Sequence, residues 1–183
     1  MKKVFVLNGV GTSGKGTFVD FVGEYISTYK YSIVDLPKEA ATLLGWDGGK
    51  TEKDRRFLSD ILDLSAEYND CPFRDVLSVV TDFKNNLIED EVLFIDMRDP
   101  KDIARAVEVF GAETILIRNP NVKKIDSNHA DANVEEYEYD YIIENDGTLQ
   151  QLDDMAKFFV REIIYWNETK GYGKPLVLTC SAR

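Results

Sequence analysis

Residues 8–17 combine glycines, a lysine and hydroxyl side chains in a spacing suited to binding phosphate. Gly9, Gly11 and Gly14 allow a positive φ, so that successive backbone N–H groups approach phosphate oxygens closely. Lys15 supplies a mobile positive charge for the β- and γ-phosphates. The residues that we expect to contact a nucleotide are Gly9, Gly11, Thr12, Ser13, Gly14, Lys15, Gly16 and Thr17. This spacing therefore predicts a loop that binds a polyphosphate.

The phosphate-binding motif lies between a predicted strand and a predicted helix. Residues 4–7 are apolar, as expected of a buried strand. After the motif, apolar and aromatic residues recur at helical spacing. These residues are Phe18, Val22, Tyr25, Ile26 and Tyr29. The positive end of such a helix would reinforce anion binding by the loop.

Strands and helices alternate through the rest of the chain. Four further strands are predicted at residues 31–36, 92–96, 114–117 and 141–143. Between the second and third strands, helical spacing predicts helices at residues 38–44, 51–68 and 75–88. This alternation predicts the α/β class, with three α/β/α layers around a five-stranded parallel sheet.

Acidic and basic side chains follow several of the predicted strands. Asp35 follows the second strand, Asp96 the third and Arg118 the fourth. Because ligands of parallel α/β sheets bind at the carboxyl ends of the strands, we expect these residues to converge with the phosphate-binding loop in one crevice.

The charge and cysteine content restrict the partners and the compartment. A formal net charge of −11 repels nucleic acid and anionic membranes, so neither is expected as a partner. Cys71 and Cys180 lack metal-binding spacing and are expected to be free thiols in a reducing compartment. We find no signal peptide and no apolar run of membrane-spanning length, and we expect a cytoplasmic protein.

The run Gly14-Lys15-Gly16-Thr17 is similar to the Gly-Lys-Gly-Thr of adenylate kinases. Over most of residues 1–166 the chain resembles the nucleoside and deoxynucleoside monophosphate kinase-like group of P-loop NTPases. The other stretches that carry this resemblance are residues 35–41, 44–48, 53–56, 96–98 and 140–149. The resemblance implies phosphoryl transfer from ATP, with Mg²⁺, to a nucleoside or deoxynucleoside monophosphate.

The resemblance also implies roles for individual side chains. Lys15, Asp96, Arg98 and Arg118 would be the catalytic residues. Thr17 and Asp96 would hold the metal, with Thr17 contacting either a phosphate or the metal's water shell. The residues implied to bind the phosphate acceptor are Asp35, Lys38, Arg55, Arg56 and Arg98. The partners are small nucleotides, and the protein is expected to be a monomer or a homodimer.

We predict a single domain over residues 1–170 and a C-terminal tail at 171–183. The domain contains a helical acceptor-binding insertion at about 37–90 and a short lid at about 119–140. The tail either docks on the domain or adds an edge strand. The lid departs from adenylate kinases because it contains no arginine, only Lys123 and Lys124.

Two other hypotheses remain open. One is a kinase for a non-nucleotide phosphate acceptor, such as a coenzyme precursor, which would differ only in its acceptor pocket. The other is a nucleotide-binding regulatory protein without transferase activity. A guanine-nucleotide switch is disfavoured because the chain has no Asn-Lys-x-Asp motif.

Overall fold

A parallel β-sheet of six strands lies at the centre of the computed structural model, which describes residues 1–88, 91–122, 134–165 and 175–179. The strands are β1 (Lys2–Asn8), β2 (Ser27–Ser32), β3 (Glu91–Asp96), β4 (Glu113–Arg118), β5 (Tyr141–Glu144) and β6 (Leu176–Thr179). Their order across the sheet is β2-β3-β1-β4-β5-β6, and every neighbouring pair is parallel. The central β1 therefore places the residues that follow it in the middle of the carboxyl edge.

The sheet has six strands, so the prediction of five was wrong. The additional strand is β6, which lies within the segment 171–183 that the sequence set apart as a tail. It pairs with β5 along its whole length, and Leu176 and Leu178 pack against the core. β6 thus satisfies the backbone groups on the outer side of β5, which would otherwise form an open edge.

The boundary between the first helix and β2 also differs from the prediction. Helix α1 (Lys15–Val22) ends before Tyr25 and Tyr29, and Tyr29 lies in β2 rather than on the helix. Among the described strands, β2 pairs only with β3, and its residues are exposed or half-buried because it is an edge strand. Its sequence therefore lacks the continuous apolar run of a buried parallel strand.

Five further α-helices are described. They are α2 (Asp35–Leu43), α3 (Glu52–Asn69), α4 (Cys71–Asn85), α5 (Pro100–Phe110) and α6 (Leu149–Phe158), and a π-helical segment (Phe159–Tyr165) continues α6. Thr51 and Thr148 form the capping boxes that begin α3 and α6, and Asp99 caps α5. No described helix is both long and apolar enough to cross a membrane.

Two apolar layers cover the two faces of the sheet. Phe5 and Leu7 of β1 point into one layer with α1 and α6, whereas Val4 and Val6 point into the other with α4 and α5. This division follows from the alternation of side chains along a strand. Phe5 also packs against the ring of Phe159, with 5.1 Å between the ring centroids. The predicted three-layer α/β/α arrangement is confirmed.

Candidate active site

The loop between β1 and α1 requires glycine at two positions. Gly9 and Gly14 have φ values of 144° and 101°, which other residues rarely adopt. A Cβ atom at Gly9 would lie 2.4 Å from the backbone oxygen of Ile117, and one at Gly14 would lie 2.3 Å from Nδ2 of Asn145. The loop is therefore packed tightly against the segments that end β4 and β5.

Gly11, the second glycine of the motif, differs from our expectation. Gly11 has no positive φ, and a Cβ atom added to it would meet no heavy atom within 4 Å. The left-handed backbone occurs instead at Thr12, with a φ of 66°. Thr12 Oγ1 donates a hydrogen bond of 2.5 Å to the backbone oxygen of Gly11. A non-glycine residue in this region is a strained position of the kind that clusters at ligand-binding sites.

Lys15 lies at the start of α1, directly after Gly14 as the N-cap residue. Its Nζ donates hydrogen bonds to the backbone oxygens of Gly9, at 2.5 Å, and Val10, at 3.3 Å. The ammonium group therefore lies over the loop itself. Together with the N–H groups of the first turn, it makes this end of α1 suitable for binding an anion.

The loop borders two cavities. The larger has a volume of about 540 Å³ and is lined by Gly11 and Thr12, among others. The smaller has a volume of about 180 Å³ and is lined by Lys15 and Gly16. Asp96, at the carboxyl end of β3, lines both cavities. One carboxylate therefore faces both the phosphate-binding loop and the adjacent space.

The larger cavity combines three cationic side chains with an apolar wall. The cations are Arg55 of α3, Arg98, which follows β3, and Lys101 of α5. The apolar lining consists of Ile33, Val34, Leu58, Leu62, Pro72 and Phe73. A cavity of this size and mixed polarity fits a small organic phosphate. Helix α3 forms its outer wall, and none of the residues of α3 is buried.

Asp96 fits a metal that is bound mainly through water. The Oδ1 atom of Asp96 is buried and has no hydrogen-bond partner in the described part of the chain. Thr17 is half-buried in the first turn of α1 and lines neither cavity. Within the described residues, no group of three or more His, Cys, Asp or Glu side chains could hold a metal ion. A hydrated Mg²⁺ that takes one carboxylate and several phosphate oxygens is consistent with this arrangement.

The remaining acceptor candidates are not all brought to the cavities. Asp35 lines the smaller cavity, and its Oδ1 lies 2.7 Å from Nζ of Lys38. Arg56 is largely exposed, with its Nε 4.0 Å from Oδ2 of Asp60. Lys38 and Arg56 line neither cavity. Arg55 and Arg98 are therefore the two predicted acceptor-binding arginines that the structure places in one cavity.

Arg118 is held by two glutamates. Its Nε donates to both carboxylate oxygens of Glu135, at 2.9 and 3.1 Å, and its Nη1 donates to Glu144 at 3.1 Å. The hydrogen bonds that Arg118 donates to Glu135, and to a lesser degree the one it donates to Glu144, raise the pKa of its guanidinium. Arg118 lines neither cavity, so its predicted catalytic role would require these ion pairs to exchange.

The remaining predictions concern the lid and the cysteines. Lys123 and Lys124 of the predicted lid lie outside the described residues, and so does Cys180. Cys71 is a free thiol, as predicted.

A buried hydrogen-bond network that the sequence did not reveal begins at Asn8. Its Oδ1 accepts from the backbone N–H of Gly9 at 2.7 Å, and its Nδ2 donates to the hydroxyl of Tyr139 at 2.7 Å and to the backbone oxygen of Arg98 at 3.3 Å. The Tyr139 hydroxyl donates in turn to the backbone oxygen of Val134 at 2.8 Å. Burial is the main cause that raises the pKa of Tyr139 to about 12. Asn8 thus ties the phosphate-binding loop to the residue that carries one of the cavity's cations.

Asn145 is a second residue whose role was missed. Its Nδ2 donates to the backbone oxygen of Ser13 at 2.9 Å, and its backbone N–H donates to the backbone oxygen of Arg118 at 2.7 Å. In the sequence, Asn145 was noted as a turn residue before α6 and as part of the stretch 140–149 that carries the resemblance, with no role of its own. Its side-chain amide supports the phosphate-binding loop through Ser13, and this hydrogen bond forms only once the assembled sheet brings the two distant segments together.

No family model and no curated protein matches this chain. Among solved structures, shikimate kinase from Aquifex aeolicus is similar, with 11% identity and a TM-score of 0.44 over 88% of this chain and 98% of that chain. A de novo designed protein with a P-loop NTPase fold has 15% identity and a TM-score of 0.43, covering 94% and 99%. Thymidylate kinase from Ehrlichia chaffeensis has 14% identity and a TM-score of 0.34, covering 97% and 91%. What this chain does is inferred from its own geometry.

Proposed function

We propose that this protein is an ATP-dependent phosphotransferase that phosphorylates a nucleoside or deoxynucleoside monophosphate. One observation carries the proposal. The phosphate-binding loop opens through Gly11 and Thr12 into a cavity of about 540 Å³ that also holds Arg55, Arg98 and Asp96. A protein that only bound ATP would not need a second cavity with its own cations beside the donor phosphates.

The residues divide the work of phosphoryl transfer, which consists mainly of positioning and neutralising charge. The backbone N–H groups of the loop and Lys15 bind the donor phosphates, and Arg98 and Arg55 bind the acceptor phosphate in the larger cavity. Asp96 and Thr17 would hold Mg²⁺, which neutralises charge on the donor phosphates when bound. Because Asp96 faces both cavities, it orients these charges at the boundary between donor and acceptor.

The test is ATP-dependent ADP release, coupled to a spectroscopic assay, against a panel of ribo- and deoxyribonucleoside monophosphates. At least one monophosphate should stimulate ADP release by the wild-type protein. Lys15→Ala should lower kcat by about a hundredfold or more, since removing a single group that stabilises charge in a transition state typically has this effect. Lys50→Ala, which removes an exposed lysine that lines neither cavity, should leave turnover unchanged.

Two outcomes would refute the proposal. Normal turnover by Lys15→Ala, with an unfolding midpoint like that of the wild type, would remove the phosphate-binding loop from the reaction. Tight ATP binding without stimulation by any monophosphate would favour a kinase for a different phosphate acceptor or a regulatory nucleotide-binding protein.

A further inference from the structure

The acidic residues at the start of α5 give the larger cavity a second polar region, apart from its arginines. Asp99 and Asp102 line this part of the cavity, and so does Asp70, which joins α3 to α4. Asp70 lies at the opposite end of α3 from Arg55, about 22 Å along the helix axis for fifteen residues. Arg55 and Asp70, which carry opposite charges, therefore lie far apart along α3, whereas Asp99 and Asp102 lie close in sequence to Arg98 and Lys101.

Two of these three carboxylates already have partners. Asp99 accepts a hydrogen bond of 2.7 Å from the backbone N–H of Lys101, which caps α5. Asp70 accepts from both terminal nitrogens of Arg105, at 2.8 and 2.5 Å. The guanidinium of Arg105 also lies over the ring of Phe73, 3.8 Å from its centroid. Arg105 is thereby fixed on Asp70.

Asp102 is the carboxyl that remains available. It is half-buried in the first turn of α5, and its side chain makes no hydrogen bond to another residue of the described chain. Burial is the main cause that raises the pKa of Asp102 to about 6, and the charge of Asp99 adds to it. A carboxylate removed from water without a partner gains most from a ligand that donates hydrogen bonds to it.

We propose that Asp102 determines acceptor specificity by accepting hydrogen bonds from an exocyclic amino group on the base of the acceptor. This inference rests on the proposed function. The acceptor would place its phosphate near Arg98 and Arg55 and lay its ring against the apolar wall. The amino group would then meet Asp102, one helical turn beyond the segment that carries Arg98.

The charged groups around Asp102 are consistent with this role. On its own helix and the preceding segment these are Asp99, Lys101 and Arg105, and from the corner between α3 and α4 it is Asp70. Asp63 lines the cavity from α3, but its side chain is exposed on the outer wall. Asp102 is half-buried whereas Asp63 is exposed, so Asp102 is the more strongly desolvated acceptor of the two.

The experiment compares kcat and KM for dAMP, dGMP, dCMP and dTMP in the wild type and in Asp102→Asn. The best wild-type substrate is also compared with its analogue in which hydrogen replaces the exocyclic amine. We expect an amine-bearing base to be preferred, and Asp102→Asn to raise its KM by about tenfold to a hundredfold while kcat and the KM for ATP stay nearly unchanged. The variant should change the KM of the analogue by less than threefold.

The pH profile gives a readout that a purely structural role would not change. As pH rises from 5 to 7, both Asp102 and the acceptor phosphate, whose second pKa is about 6, ionise. The wild-type KM for the preferred acceptor should therefore fall more steeply than that of Asp102→Asn, in which only the phosphate ionises. Glu108→Gln, at an exposed acid of the same helix, should behave as the wild type. Unfolding midpoints of the variants that are equal to or above that of the wild type establish that the fold is retained.

Three results would overturn the inference while leaving the kinase proposal intact. These are a preference for dTMP, an equal effect of Asp102→Asn on all four acceptors, and a loss of selectivity in Asp63→Asn instead. If no monophosphate is a substrate of the wild type, the kinase proposal fails and the inference fails with it.

Discussion

Replacing Tyr139 by phenylalanine tests the buried network behind the phosphate-binding loop. The substitution removes one hydroxyl and leaves the ring, which is almost fully buried, in place. The hydroxyl makes two hydrogen bonds, accepting from Asn8 at 2.7 Å and donating to the backbone oxygen of Val134 at 2.8 Å. Both partners would lose a bond. Nδ2 of Asn8 keeps its 3.3 Å contact to Arg98, whereas the backbone oxygen of Val134 keeps no other partner among the described residues.

A buried polar group left without a partner costs about 1–3 kcal/mol. Because the backbone oxygen of Val134 loses its partner and the amide of Asn8 loses one of its hydrogen bonds, we expect Tyr139→Phe to lower the free energy of unfolding by about 2–4 kcal/mol. At about 2–4 °C per kcal/mol for a domain of this size, the midpoint of thermal unfolding should fall by roughly 5–15 °C. Urea denaturation at 25 °C, with the slope compared between variants, measures the free energy directly.

The matched control is Tyr25→Phe. Its hydroxyl also donates a hydrogen bond of 2.8 Å, to Asp153, but on the exposed surface. Water replaces such a bond, so we expect the loss to stay below about 0.5 kcal/mol. Equal destabilisation by Tyr139→Phe and Tyr25→Phe would refute the claim that the network contributes to the stability of the site.

Two further predictions concern the loop and the larger cavity. Gly9→Ala should destabilise the fold by about 3 kcal/mol or more, because its Cβ would meet the backbone oxygen of Ile117, whereas Gly11→Ala should have little effect on urea denaturation. Asp102→Asn should be as stable as the wild type near pH 4 and more stable above pH 6, since the raised pKa of about 6 means that ionisation of Asp102 destabilises the folded state. The full difference between this pKa and the usual value of 3.8 corresponds to about 3 kcal/mol of unfolding free energy, and partial exposure of Asp102 reduces the expected gain in stability to about 1–2 kcal/mol. A gain in stability that is the same at both pH values would contradict this prediction.

The parts of the fold that the sequence predicted well have local causes. The phosphate-binding loop is specified by the spacing of its own residues. β3 and β4 are continuous apolar runs because both of their faces are buried. The starts of α3 and α6 follow from capping boxes whose partners are three residues apart.

The errors and omissions have causes that lie far away in the sequence. The predicted position of β2 was several residues too late, because an edge strand has no clear pattern of buried and exposed residues. The sequence did not decide whether β6 forms, because its short apolar run becomes a strand only by pairing with β5. Asn8 was recognised as part of the loop, but its partner Tyr139 lies on a distant segment. The ion pairs of Arg118 with Glu135 and Glu144 are likewise set by the assembled sheet.

The position of β1 in the sheet has a consequence for folding. β1 pairs only with β3 and β4, so Lys2 lies opposite Glu91 and Phe5 opposite Glu113. These pairings close chain segments that span about half of the protein, and such distant contacts form slowly because closing a long loop carries an entropic cost. We therefore expect β1 to pair with β3 and β4 late in folding. The ability to bind phosphate should therefore appear only in the later stages of folding, and a ligand that recognises the loop would select chains whose central sheet is already complete.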